Sequence, residues 1–276
     1  MNILYCGDKN IIDGLIISIL SLLKNTNEIL NIYVLTASIK LEEKEYKAIS
    51  SEEINILDKI VKEKNSNNFV KVIDITKKFA KEVPLKNIKT RFTPCCMLRL
   101  FADEIPELPK DRILYLDNDV IWRKDCSDFY NQNIDDTELI GVLDYYGKWF
   151  FKKKNLKFDY INSGVLLLNI NKIKETKLFE KARKMCIEKK MFMPDQSALN
   201  KLSVKKKILP RKYNEQRRLK KDTVIQHFTT SFRIFPVFHS VTIKPWNIEN
   251  VHKKLKIFEY DDLFEEYKKI IKQIKN

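Results

Sequence analysis

Histidine and glycine are scarce in this chain, with 3 histidines and 5 glycines among 276 residues. The five cysteines (Cys6, Cys95, Cys96, Cys126 and Cys186) form no Cys-x-x-Cys pair. With so few histidines this excludes an obvious structural zinc set. An odd number of cysteines fits reduced thiols in a cytoplasmic protein better than a disulfide framework. No charged segment followed by an apolar run precedes the first strand-like residues, Ile3-Leu4-Tyr5, so no signal peptide is expected. The apolar stretch Ile11 to Leu23 carries Asp13 and Ser18. It is shorter than the run of about 20 apolar residues that crosses a bilayer. Internal repeats and long linkers are also missing.

Acids are outnumbered, 37 against 52 Lys and Arg, for a net charge of +15. Two explanations compete. The excess is either scattered surface lysine, as in Lys152-Lys153-Lys154 and Lys205-Lys206-Lys207, or an attraction for an anionic partner such as a nucleotide phosphate, a nucleic acid or a membrane. At 44% hydrophobic and 32% charged residues the composition is globular. The length suits one α/β domain with additions, since such domains reach roughly 200–250 residues.

Strand-like and helix-like segments alternate. Ile3 to Tyr5, Ile32 to Leu35, Val70 to Ile73, Arg112 to Leu116, Leu139 to Val142 and Val165 to Leu168 read as strands. Ile12 to Leu23, Leu41 to Lys64 and a segment opening at Pro94 read as helices. This order predicts a mainly parallel sheet with helices on both faces, and such sheets bind ligands at the carboxyl ends of their strands. Gly7, Gly141 and Gly164 lie beside strand ends, where they serve a positive φ, a close ligand approach or an ordinary turn. Tyr260 to Asn276 reads as an amphipathic helix, which packs on the domain or rests on an anionic membrane.

The chemistry concentrates where Ile113-Leu114-Tyr115-Leu116 runs into Asp117-Asn118-Asp119. Strand alternation would send the two carboxylates the same way, and like charges at close range raise each other's pKa. A divalent cation relieves them, since carboxylate oxygens suit Mg²⁺ or Mn²⁺. The alternative is a strand-end turn with one acid capping the next segment. Val224 to Phe228 is strand-like and contains His227, either a third ligand or a core histidine. Lys244-Pro245-Trp246 offers a lysine for a diphosphate.

Taken in order, these motifs resemble the family 8 glycosyltransferases over nearly the whole chain, to about Asn247. Cys6-Gly7-Asp8-Lys9-Asn10 is similar to the family's nucleotide entry, and Leu114 to Val120 to its metal motif. Tyr160 to Asn169 and Pro194 to Asn200 are similar to its sugar-contacting and catalytic-face segments, and His227-Phe228 with Lys244-Pro245-Trp246 to its C-terminal signature. The resemblance implies a GT-A fold over residues 1–250, with 251–276 as a basic helical tail. It also implies a UDP-sugar donor, Mn²⁺ or Mg²⁺, and transfer with retention of configuration. By position, Asp117, Asp119 and His227 would hold the metal and Lys244 the diphosphate. Cys6, Gly7, Asp8 and Asn10 would meet the nucleoside, with Asn118 beside the donor. Arg99, Asp144 and Asn162 would surround the donor sugar, with Gln196 and Asp195 at the reacting carbon. A glycan or glycolipid acceptor follows, cytoplasmic residence with possible contact to the inner membrane face, and no nucleic acid.

Alternatives stay open at this point. Arg99 could pair with Asp103, Asp144 could cap a helix, and Asn162 could hold a turn. One departure from the family pattern is the glycine-free insertion from Thr229 to Ile243, rich in Phe232, Phe235 and Phe238. It reads as a lid, an acceptor platform or a dimer contact, and its His239 rivals His227. A nucleotidyltransferase would share the paired acids but wants a Gly-rich basic loop that Gly7-Asp8-Lys9-Asn10 does not provide. A non-catalytic nucleic-acid or membrane binder would use the cluster Arg211, Lys212, Arg217, Arg218, Lys220 and Lys221.

Overall fold

The computed structural model describes residues 1–41, 44–88, 93–147, 159–233, 237 and 239–275. Lys152 to Lys154, Phe235 and Phe238 lie outside the described residues. The chain opens with β1 (Asn2–Cys6), helix α1 (Ile12–Asn25) and β2 (Asn31–Thr36). A small hairpin of β3 (Ile39–Lys40) and β4 (Glu45–Tyr46) precedes helix α2 (Ser51–Lys64) and β5 (Phe69–Asp74). Then come β6 (Ile113–Leu116), β7 (Val120–Trp122), β8 (Leu139–Leu143) and β9 (Ile161–Leu168). Helices α3 (Leu178–Glu188) and α4 (Pro194–Leu202) lead to β10 (Lys206–Leu209).

Seven strands form one sheet in the order β10-β8-β9-β6-β1-β2-β5. All its pairings are parallel except those of β9, which runs antiparallel to both β6 and β8. The mainly parallel α/β fold read from the pattern is therefore present, with one reversed strand that the apolar run Val165 to Leu168 did not disclose. Alternation divides the strands between two cores. Ile3, Tyr5, Leu114, Leu116, Val165 and Leu167 face α1 and α2. Leu4, Ile113, Tyr115, Leu166 and Leu168 face α3, α4 and the 3₁₀ helix Pro94–Glu104. Period-2 alternation with apolar residues on both faces is the signature of a sheet covered on both sides.

Two expected elements differ. The helix expected from Leu41 begins only at Ser51. Ser50 builds a capping box with Glu53, accepting from the Glu53 amide while the Glu53 carboxylate accepts from the Ser50 amide. That start signal outranks the apolar spacing of Tyr46 and Ile49, which are buried ahead of the helix, Tyr46 in the hairpin and Ile49 in the link that follows it. The segment opening at Pro94 is 3₁₀ rather than α. With three residues per turn, Leu98 and Phe101 eclipse on one inward face.

The C-terminal helix α5 (Asp261–Lys275) buries Leu263, Phe264, Tyr267, Ile270 and Ile271 in the same core as α1. Tyr267 donates to Asp13 Oδ1 at 2.5 Å. Fully burying an apolar side chain of this size stabilises by about 1.5–3 kcal/mol, so the apolar face of the tail is committed to the domain. Among the described residues, no helix is long and apolar enough to cross a membrane.

Candidate active site

Strands β1 and β6 are parallel neighbours and end at the same edge, while antiparallel β9 starts there. That topology gathers Cys6-Gly7-Asp8, Asp117-Asn118-Asp119 and Asn162-Ser163-Gly164. Asp117 continues the ladder by donating its amide to Gly164 O at 2.8 Å. The chain then turns into β7, which pairs antiparallel with β11 (Ile225–His227) and sets His227 opposite Val120. The Phe228 amide donates to Asp119 O at 2.9 Å and locks this register.

Asp117, Asp119 and His227 each bring one ligand atom within 4.8 Å of the others. The two acids converge through the turn and the β7–β11 pair, not through strand alternation, because β6 stops at Leu116. Nor does burial set the charge of Asp119: it acts to raise the pKa, but the Lys244 ammonium beside it leads the influences that hold the carboxyl well below its usual range. Lys244 Nζ donates to Asp119 Oδ2 and reaches Phe228 O at 3.4 Å. The insertion does not carry Lys244 away, because β12 (Ser231–Arg233) and β13 (His239–Val241) pair as a hairpin and return the chain to its start. His239 sits on that hairpin, 2.8 Å from Val237 O and outside the acid cluster.

The orientation of His227 follows from a chain of hydrogen bonds with one backbone anchor. The Gly164 amide can only donate, and it donates to Asn162 Oδ1 at 3.0 Å. Asn162 Nδ2 donates to Asp144 Oδ2 at 3.0 Å. The Asn214 atom 3.0 Å from Asn162 Oδ1 must then be its Nδ2, which leaves Asn214 Oδ1 facing His227 Nδ1 at 3.0 Å. Nδ1 therefore carries a proton, so in the neutral ring Nε2 turns a lone pair toward the acids, 3.7 Å from Asp117 Oδ2 and 3.1 Å from Asp119 Oδ1. Asp119 Oδ1 is buried and has no hydrogen bond despite that proximity. Two carboxylates, a neutral imidazole and an orphaned buried oxygen fit a divalent cation. Gly164 makes the room: a Cβ there would overlap His227 Cε1 and lie 2.6 Å from Asp117 Oδ2. Close approach is its reason, since none of the described glycines has a positive φ.

On the other side of Asp117 lies Arg99. Its Nη2 is 3.0 Å from Asp117 Oδ1, its Nε 3.4 Å from Asp195 Oδ2, and its Nη1 donates to Ser163 O at 2.5 Å. The guanidinium lies 4.0 Å from the Tyr115 ring centre, and the Tyr115 hydroxyl donates to Asp117 Oδ1 at 2.6 Å. Burial acts to lower the Arg99 pKa, but Tyr115, Asp117 and Asp195 raise it well above the ordinary value, so it stays charged. The expected alternative, pairing with Asp103, does not occur. A 3₁₀ turn separates positions 99 and 103 by a third of a revolution, and Asp103 is held by Arg183 at 2.9 Å.

Gln196 is fixed at both ends of its amide. Oε1 accepts from the Ser163 amide at 2.9 Å, and Nε2 donates to Asp144 Oδ2 at 3.3 Å. Asp195 accepts from Ser163 Oγ at 3.2 Å. Asp144 also accepts from the amides of Tyr146 and Gly147, so it does cap the turn after β8 while serving this network. Asp8 is buried and accepts from exposed Asn10 at 2.6 Å. Burial, the leading influence, drives the Cys6 thiol pKa up despite nearby Arg99, so Cys6 is no thiolate nucleophile. Asn118 reaches Ile11 O at 3.5 Å and packs over Gly14.

Reading the sequence overlooked Asn214, Ser163 and Tyr115. Tyr115 had a signal, two residues before Asp117 on the strand. Asn214 had none, since it lies in a stretch that reads only as basic.

Comparison with known proteins bears on the fold and the family. A lipopolysaccharide 1,2-glucosyltransferase of Escherichia coli K12 is 26% identical over 284 aligned positions, covering 94% of this chain and 76% of that protein. The galactosyltransferase LgtC, solved with donor and acceptor sugar analogs, superposes with a TM-score of 0.69 at 19% identity, over 98% of this chain and 96% of that one. The glycosyltransferase GlyE of Streptococcus pneumoniae TIGR4 gives a TM-score of 0.64 at 18% identity, over 96% of this chain and 63% of that one. These superpositions show that the fold is that of GT-A glycosyltransferases. The sequence profile of glycosyl transferase family 8 matches residues 2–250, and the chain belongs to that family.

Proposed function

We propose that this glycosyltransferase is a retaining hexosyltransferase that moves glucose or galactose from a UDP-sugar to a glycan or glycolipid, with Mn²⁺ or Mg²⁺ held by Asp117, Asp119 and His227. The observation that carries the reading is the orphaned Asp119 Oδ1 beside the fixed lone pair of His227 Nε2. Bound there, the ion would neutralise charge on the departing diphosphate. Lys244 adds a positive charge beside the same cluster. Asp8 and Asn10 meet uridine and ribose, Cys6 and Gly7 let the backbone approach, and Asn118 borders the donor. Arg99, Asp144 and Asn162 frame the sugar, whose hydroxyls both donate and accept.

In the transfer, the bond from the anomeric carbon to the phosphate oxygen breaks and a bond to the acceptor oxygen forms on the same face. The acceptor proton passes to the leaving diphosphate. An amide is a poor nucleophile, so Gln196 positions the reacting carbon. The Asp195 carboxylate is engaged by Arg99 and Ser163, which favours a positioning role over nucleophilic attack. The likeness to a lipopolysaccharide glucosyltransferase suggests a saccharide of that class as acceptor. Five free thiols suit work on the cytoplasmic side, at the inner face of the membrane.

The test is binding and slow hydrolysis of a panel of UDP-sugars with Mn²⁺, Mg²⁺ or chelator, for the native protein and Asp119→Ala. Metal-dependent binding of one UDP-sugar, lost in the variant, is expected. Binding of none under any condition would sink the reading.

A further inference from the structure

Directly after Asp144 the chain enters a face that the transfer chemistry above does not use. Tyr145 directly follows Asp144 and donates its amide to Gln216 at 2.8 Å. Two guanidinium groups lie over its ring, Arg211 at 4.9 Å and Arg217 at 4.7 Å, and Arg217 also donates to its hydroxyl. Tyr146 stands edge-on to Tyr145 at 4.9 Å, and Phe232 of the insertion hairpin edge-on to Tyr146 at 4.9 Å. The Phe232 amide donates to the Tyr146 hydroxyl at 3.0 Å, which ties the hairpin to the platform.

Among the described residues, no carboxylate pairs with the arginines on this face, Arg211 and Arg217. Arg99, Arg123 and Arg183 each pair with a carboxylate. Among the described residues, Arg211, Lys212, Arg217, Arg218, Lys220 and Lys221 form no ion pair, and the acid inside their stretch, Glu215, is buried and accepts from the Arg217 amide. Arg211 Nη1 is buried and has no hydrogen-bond partner. A buried guanidinium donor left unmatched is costly unless a ligand completes it, and the guanidinium fork suits phosphate oxygens. The same stretch reaches the site itself, since Asn214 holds His227 and Asn162.

We propose that Arg211, Arg217, Tyr145, Tyr146 and Phe232 form the acceptor subsite, and that the acceptor is a phosphate-bearing saccharide. This rests on the glycosyl transfer reading above. The Tyr146 and Phe232 rings receive the sugar, and the two arginines, held against Tyr145, take a phosphate near the hydroxyl that is glycosylated. Because Tyr145 adjoins Asp144, an acceptor held there lies beside the donor sugar. The donor diphosphate has its own cation in Lys244, so these arginines are not needed for it.

The experiment uses oligosaccharide released from bacterial lipopolysaccharide, as prepared and after phosphatase treatment, and the same saccharide still on its lipid. Acceptor KM is measured for the native protein, for R211Q/R217Q, and for R217Q alone, which alters an exposed side chain and spares the fold. UDP-sugar binding is followed separately by calorimetry. Phosphate removal should raise the native KM by about tenfold, the worth of one good charge-assisted contact. In R211Q/R217Q the phosphorylated and dephosphorylated forms should differ by less than about twofold. R217Q should fall between. Equal effects on free and lipid-linked saccharide identify the saccharide phosphate, and an effect confined to the lipid-linked form identifies a phosphate next to the lipid. Native KM unmoved by phosphatase, with UDP-sugar binding intact, overturns the subsite. So does a loss of binding to anionic vesicles in R211Q/R217Q without any change in phosphate preference, which would make the patch a membrane contact. Failure of UDP-sugar binding in the native protein overturns the transfer reading beneath.

Discussion

His227 Nδ1 lies 3.0 Å from Asn214 Oδ1, and this contact decides which nitrogen of His227 faces Asp117 and Asp119. Asn214 is fully buried and is oriented in turn by Asn162. An outer partner that fixes a ligand's tautomer commonly contributes a factor of about 10–100 in metal affinity. Asn214→Leu keeps the volume and removes the acceptor. Mn²⁺ titration of UDP-sugar binding should show a loss of that size, with far-UV circular dichroism unchanged. Native metal affinity in the variant would remove Asn214 from the site.

Gly164 is a place where one methyl group tests the same geometry. Gly164→Ala would drive a Cβ into His227 Cε1 and crowd Asp117. His227 and Gly164 are both buried in well-paired backbone, so the imidazole must move. Metal-dependent donor binding should fall by at least tenfold, which is about 1.4 kcal/mol. A crystal structure of the variant with His227 undisplaced would contradict this.

Asp119 links the site to acid stability. Its folded pKa lies below the ordinary 3.8, because burial is outweighed, foremost by the Lys244 ammonium. A carboxyl of lowered pKa contributes stability that is fully present above 3.8 and is lost as the pH falls through its folded value. Without added metal, the native urea midpoint should therefore decline below about pH 4, and Asp119→Asn should flatten that part of the decline. Parallel pH profiles for the two proteins would exclude Asp119 from the linkage.

Arg183 holds the opposite core. Its buried guanidinium contacts Asp103 at 2.9 Å, Glu82 at 2.9 Å and Leu100 O at 2.6 Å. Removing one partner of a buried ion pair costs about 3–5 kcal/mol, the loss expected in urea melts of Arg183→Met at pH 7. Burial already raises the Asp103 pKa, and the loss of Arg183 raises it further. A carboxyl of raised pKa favours the folded state when protonated, so the deficit of the variant should shrink on acidification. A deficit that grows instead would place the lost energy elsewhere.

Much of this protein is legible in one dimension. Strand alternation gives both cores, because side chains on a strand alternate whatever surrounds them. The Asp117-Asn118-Asp119 run at a strand end, and the spacing of the later motifs, point to the chemistry without coordinates. The family follows from the same ordered residues.

What the linear pattern does not carry is pairing between distant segments. An apolar run such as Val165 to Leu168 is the same whether its strand runs with its neighbours or against them, and only the reversed direction of β9 brings Asn162, Ser163 and Gly164 to the edge that holds Asp117. Arg99 has an acid four residues ahead and two others far off in sequence, and the 3₁₀ turn with close packing selects the distant ones. The hairpin that returns Lys244 to Asp119 depends on cross-strand pairing of Ser231 with Val241 and Arg233 with His239. Composition and periodicity determined which residues are buried and which motifs exist. Tertiary structure alone decided which polar atoms face one another, because hydrogen bonds are directional and the partner of His227 is 13 residues away, on a loop with no periodicity to betray it.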